Sequence, residues 1–112
     1  MYYDKDGLPI SMYSWGLLME NPTYRVVKQE TLVDNRWVST VWLGIDHSFG
    51  GKKKLLFETM VFDHEGGGDS GGDILECFRW STLAEAQKGH ATIVEELNKH
   101  PHQRHHRRKL EP

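Results

Sequence analysis

Residues 37–62 read WVSTVWLGIDHSFGGKKKLLFETMVF, and this stretch decides the fold. Two apolar runs, 37–45 and 55–62, flank a polar loop that carries glycine. Aromatic and β-branched residues dominate both runs, which suits the pleated surface of a sheet. In the first run Trp37, Val41, Leu43 and Ile45 fall on one face, with Val38, Thr40 and Trp42 on the other. In the second, Leu55, Phe57, Thr59 and Val61 oppose Leu56, Glu58, Met60 and Phe62. Apolar bulk on both faces marks two central strands. Glu58 is the exception and requires a partner, water or an exposed sheet edge.

Working outward, residues 24–32 (YRVVKQETL) form a further strand, turned into the first central run at Asp34-Asn35. Upstream, Ser11 caps a short helix that runs through Glu20, directs Trp15, Leu18 and Met19 to the core, and stops at Asn21-Pro22. Residues 1–10 are a turn-rich lead-in centred on Asp6-Gly7. Asp4-Lys5-Asp6-Gly7 resembles the opening of a calcium loop, but the remaining ligand spacing is missing, so it reads as a surface turn. Downstream, DHEGGGDSGGD (63–73) has no apolar residue and reads as a flexible loop. ILECFRW (74–80) is a fourth strand. Thr82-Leu83-Ala84-Glu85 is a capping box that opens a helix to about Asn98. Leu83, Ala86, His90, Ile93, Val94 and Leu97 mark its apolar stripe.

These elements predict an α+β fold: a four-stranded antiparallel meander sheet, with a short N-terminal helix and a long C-terminal helix packed on one face. Residues 1–98 form one domain, and 99–112 form a disordered basic, histidine-rich tail. The 112 residues suffice for one core, and no apolar run approaches the ~20 residues of a membrane span. Cys77 is the only cysteine, which excludes an intrachain disulfide and cysteine-rich zinc modules and fits a reducing, cytoplasmic setting. Within a net charge of -2, residues 98–112 carry +4 and the body -6.

PIS before a tryptophan-containing helix, YRVV, VSTVWLGIDHSFG, LFETMVF and the closing RWSTLAEAQKGH resemble a group of short proteins from actinobacterial phages and their hosts. The resemblance covers roughly residues 1–97 and is most specific in VSTVWLGIDHSFG with LFETMVF. It implies a phage or prophage accessory role and supplies no catalytic residues. The chain departs after DHSFG, where Lys52-Lys53-Lys54 replace the Gly and Pro of that group.

Three chemistries compete for the polar residues. An enzyme would use Asp46 and His47, with Ser48 or Glu58 completing an acid–base or nucleophilic group; adjacent residues seldom point at one another, so a loop-building role is the expectation. A metal site from Asp46, His47, His64 and Glu65 is disfavoured, because the two histidines lie at opposite ends of the hairpin, roughly 25 Å apart at strand rise. His100, His102, His105 and His106 would bind metal only adventitiously, and no cofactor is expected. Nucleic acid is a second reading, through Lys52, Lys53, Lys54 and the basic tail. The reading carried forward is nonenzymatic binding of a host or phage protein, with Tyr2, Tyr3, Tyr13 and Phe49 as aromatic contacts beside those lysines. An edge strand pairing with its symmetry mate would make the protein a homodimer rather than a monomer. His90 is expected to be a satisfied histidine at the core margin, and Cys77 a buried, inert thiol.

Overall fold

The computed structural model describes residues 1–67 and 73–101. Tyr2–Tyr3 (β1) and Pro9–Ile10 (β2) form a small antiparallel pair. Their connection is the expected turn: Asp4 Oδ1 accepts from the amides of Asp6 and Leu8, both at 2.9 Å, and Gly7 takes φ +83°. Helix α1 covers Met12–Met19, with the Ser11 side chain accepting from the Ser14 amide. A second short helix, α2, covers Pro22–Arg25. Tyr24 and Arg25, expected to open a strand, are therefore helical. Asn21 caps this turn and Pro22 supplies a preset φ at its start, a local preference that overrides the β-branched residues that follow.

Strands β3 (Val26–Thr31), β4 (Trp37–Trp42), β5 (Phe57–Phe62) and β6 (Ile74–Trp80) follow, then helix α3 (Leu83–Lys99). The sheet is an antiparallel meander in the order β3-β4-β5-β6. The fold is the α+β arrangement expected from the sequence. β4 stops at Trp42, short of the expected Ile45, because Gly44 turns the chain at φ +71°. A Cβ on Gly44 would lie 2.5 Å from the Trp42 ring and 2.6 Å from that of Trp15, so only glycine fits. Ile45 instead bridges to Tyr2.

Register explains the core. Val38, Thr40 and Trp42 face Val61, Thr59 and Phe57 across β4 and β5, and all six are fully buried. α3 covers this face with Ala86, His90 and Ile93. One apolar cluster gathers Tyr3, Trp42, Leu56, Phe57 and Ala86, with Trp15, Leu18 and Met19 of α1 packed against it. The Trp42 indole donates to the Tyr3 carbonyl (3.1 Å) and meets Tyr24 edge-on. A second cluster joins Leu32, Val38, Val61 and Ile93. The opposite sheet face carries Trp37 against Phe62, Gln29 bonded to Ser39, and Glu58 paired with Arg79.

The capping box at α3 is present in both directions, with the Thr82 hydroxyl accepting from Glu85 and the Glu85 carboxylate from Thr82. The other end of α3 is held by Arg36, only 5% exposed, which pairs with Asp34 (2.8 Å) and donates to the carbonyls of Leu97 (2.9 Å) and His100 (3.1 Å). This buried arginine ties the β3–β4 turn to the helix terminus, where unsatisfied carbonyls favour a cation. Among the described residues, no helix is long and apolar enough to cross a membrane.

Candidate functional site

The loop over residues 46–54 leaves β4 and returns to β5. Asp46 organises it. Its carboxylate accepts from the Ser48 amide (2.8 Å), the Ser48 hydroxyl (3.0 Å) and the Leu55 amide (3.0 Å). The Leu55 amide, followed by the two Ser48 donors, holds this carboxyl below the usual carboxylate range. His47 Nδ1–H donates to the Ile45 carbonyl at 2.8 Å, since a carbonyl can only accept. Asp46, His47 and Ser48 are therefore neighbours without relay connectivity. The Ser48 hydroxyl is spent on a poorly basic carboxylate, and the histidine is turned to the backbone. Glu58, the fourth catalytic candidate, sits on β5 and engages Arg79 (3.1 Å) and Cys77 (3.6 Å). These groups do not assemble into a catalytic arrangement.

The same scaffold displays Phe49. Its backbone takes φ +53°, a left-handed conformation that L residues other than Asn and Asp rarely adopt, and its ring is 88% exposed. Of its neighbours, Lys53 lies 4.0 Å from Glu85, Lys54 rests over the Tyr3 ring, and Lys52 is exposed. Tyr13, on α1, is 76% exposed. α1 is tied to the base of the loop through the Trp15 indole, which donates to the Leu43 carbonyl at 2.9 Å. Tyr2 and Tyr3 are mostly covered, Tyr2 against Trp15, so they are not free contacts. His64 pairs with Asp63 (2.8 Å), and Glu65 accepts from Thr31 (3.0 Å). Among the described residues, no group of three or more His, Cys, Asp or Glu is placed to hold a metal. Of the tail histidines, His100 lies 3.9 Å from Glu96, while His102, His105 and His106 fall outside the described residues.

Sequence reasoning missed a buried polar relay. Glu30 Oε1 meets His90 Nε2 at 2.9 Å, and His90 Nδ1 meets Thr40 Oγ1 at 2.7 Å. Thr40 Oγ1 meets Thr59 Oγ1 at 2.5 Å, and Thr59 accepts from the Trp80 indole at 2.9 Å. The directions follow from chemistry. An ionised Glu30 only accepts, so His90 Nε2 carries the proton and Nδ1 accepts from Thr40. Thr40 then accepts from Thr59, and Thr59 from Trp80. Every polar atom is satisfied with His90 neutral. Burial pushes the His90 pKa down, against an opposing pull from Glu30. The order acid–histidine–hydroxyl resembles a hydrolase triad, but Thr40 and Thr59 are fully buried and His90 is 1% exposed. The hydroxyls are sealed from any substrate. Of the acid, the histidine and the two hydroxyls, Glu30 alone reaches the surface, in a cleft of about 450 Å³ that Lys28, Gln87 and Glu95 also line. A histidine on the buried stripe of α3, together with threonines on the buried faces of both central strands, was the available signal.

Cys77 differs from expectation. It is exposed, because its side chain lies on the sheet face opposite α3, where it contacts Glu58. Burial and the neighbouring Glu58 push its pKa up, so the thiol stays protonated at neutral pH. Compared with family models, curated proteins and solved structures, the chain matches none.

Proposed function

We propose that this protein is a nonenzymatic, cytoplasmic binding protein of phage or prophage type, and that its folded body recognises a host or phage protein through the 46–54 loop. The observation that carries this reading is Phe49: a large aromatic held at positive φ and 88% exposed, on a loop fixed by three hydrogen bonds to Asp46. Backbone strain of roughly 1–3 kcal/mol is sustained where surrounding structure enforces it, and such positions cluster at functional sites. A rigidly presented aromatic also loses little entropy on entering a partner's pocket. Tyr13 extends the same surface from α1. In a pull-down from host lysate, the wild-type chain captures a protein that Phe49→Asn captures at least tenfold less well, while circular dichroism of the variant is unchanged. Equal capture by both chains would remove Phe49 from the contact.

A second reading has its own support: the exposed Phe49 is followed in the chain by Lys52, Lys53 and Lys54, and an exposed ring on a loop that also carries cations suits single-stranded nucleic acid. Anisotropy with a labelled oligonucleotide separates the two. A steep fall of affinity with salt, together with its loss in Phe49→Asn, would favour nucleic acid over protein.

A further inference from the structure

A groove of about 610 Å³ lies between β6 and α3. Small-molecule sites commonly have volumes of roughly 300–1,000 Å³ and mostly apolar walls. The floor here is apolar, with Phe78 and Trp80 from β6 and Gly89 and Ile93 from α3. The Phe78 and Trp80 rings lie within 14° of parallel, their centroids 6.2 Å apart, and both are half-buried. Together they present an aromatic surface partly open to water. Two contacts keep the Trp80 ring from turning to fill the space. Its N–H donates to Thr59 at 2.9 Å, and its ring rests on α3 at Gly89, where a Cβ would come within 2.4 Å. A floor fixed in advance lowers the cost of ordering on binding. The charges around the groove resolve into two pairs and one remainder. Arg79 is engaged by Glu58 at 3.1 Å, and Lys53 lies 4.0 Å from Glu85. Lys88 also lines the groove, is exposed, and has no ion-pair or hydrogen-bond partner among the described residues. It precedes Gly89, the residue on which the Trp80 ring rests.

We propose that this groove binds a small aromatic acid, its flat apolar body lying on Phe78 and Trp80 and its single carboxylate held by Lys88. The charge balance selects the sign of the ligand. After the two internal pairs, Lys88 leaves the groove positive, and its one acid, Glu85, is shared with Lys53. A cationic ligand would meet Lys88 with no free acid to offset it. A neutral aromatic would cover the same floor but leave Lys88 unused. An exposed ion pair changes affinity only a few-fold, so the apolar floor supplies most of the binding and Lys88 supplies the preference for an acid. This site does not rest on the Phe49 contact, and either reading can fail without the other.

Indole-3-acetate, with indole-3-acetamide as its neutral match, probes the site on the full chain by backbone amide NMR. A ligand of roughly a dozen heavy atoms supports a Kd of about 1 mM. The acetate should saturate near or below that concentration at low salt, shifting the amides of residues 78–80 and 88–93 and sparing Phe49. The acetamide should bind about threefold more weakly. Lys88→Gln, a change at an exposed position, should bind both probes alike. Thr92→Trp places an indole at an exposed position on the groove wall and should weaken the acetate at least tenfold with unchanged circular dichroism. Failure of the acetate to saturate by about 10 mM overturns the proposal, as do shifts confined to other surfaces. So does a preference for the acid that survives Lys88→Gln, because another group would then hold the carboxylate.

Discussion

Replacing Thr40 and Thr59 by valine, singly and together, tests whether the buried relay is one network. Valine preserves the branched shape and deletes only the hydroxyl. Thr40→Val leaves His90 Nδ1 without its donor and the Thr59 hydroxyl without its acceptor, both in fully buried surroundings. Each orphaned buried polar group costs about 1–3 kcal/mol, so this variant loses roughly 2–5 kcal/mol. Thr59→Val orphans the half-buried Trp80 indole but leaves the Thr40–His90 bond intact, for a loss of about 1–3 kcal/mol. The double variant orphans His90 Nδ1 and the Trp80 indole, while the stranded Thr59 hydroxyl no longer exists. It therefore falls short of the summed single losses by one orphan, about 1–3 kcal/mol. Urea titrations above pH 7, followed by tryptophan fluorescence, measure all four corners of the cycle. Thr40→Ser keeps the hydroxyl and serves as a milder corner if Thr40→Val does not fold. Additivity within about 0.5 kcal/mol would refute the shared network.

Gly89→Ala should destabilise the protein despite alanine's advantage of about 1 kcal/mol in a helix, because the new Cβ would lie 2.4 Å from the Trp80 ring; a rise in urea midpoint would show that the ring can yield. Arg36→Ala should cost about 3–5 kcal/mol, since it removes the buried guanidinium that pairs with Asp34 and uncaps the end of α3; a loss below 1 kcal/mol in thermal or urea unfolding would contradict that role. His90 binds its proton less readily folded than unfolded, so its stabilising contribution is complete above its ordinary pKa of about 6.5 and declines as pH falls below that value. Its ring should titrate below 6.5 by NMR while urea stability drops from pH 7.5 to 5.5, and a midpoint above 6.5 would reverse the sign.

The sheet was legible because β4 and β5 carry apolar residues on both faces, a pattern only central strands sustain. The capping box fixed the start of α3, and Asp34-Asn35 fixed the β3–β4 turn. What escaped was long-range. Nothing local marks Arg36 as buried, since its partners include carbonyls more than sixty positions away in the chain. Tyr24 and Arg25 read as strand because the Asn21-Pro22 pair was taken as a stop, although it also starts a helical turn. Cys77 read as buried because strand alternation assigns a face but not what covers it. The loop role of Asp46 was readable from its type and place, whereas the left-handed backbone of Phe49 was not, since glycines on its C-terminal side offered a cheaper site for positive φ.

The relay also explains how a polar core serves a binding protein. Apolar residues at positions 40 and 59 would pack against α3 without any need for partners. The threonines instead impose a direction on the hydrogen-bond chain, from the Trp80 indole inward to His90 and out to Glu30. Trp80 is thereby held by two constraints: its N–H on Thr59, and its ring against Gly89, where no side chain intervenes. Trp80 floors the groove beside β6, so the shape of that groove is set from inside the core. A neutral His90 is the state in which every member of the chain is satisfied. Protonating it makes Nδ1–H a donor to Thr40 Oγ1, so Thr40 turns its own proton toward Thr59, which leaves the Thr59 hydroxyl proton to find a new acceptor. Acidification therefore puts a second donor on the Thr59 oxygen that holds Trp80 and displaces the Thr59 proton, so the surroundings of Trp80 should change ahead of global unfolding. Trp80 is one of four tryptophans, so a chain in which the other three are phenylalanine reports this directly: its emission should shift at a higher pH than the loss of helix by circular dichroism, and coincident transitions would sever the link between relay and groove.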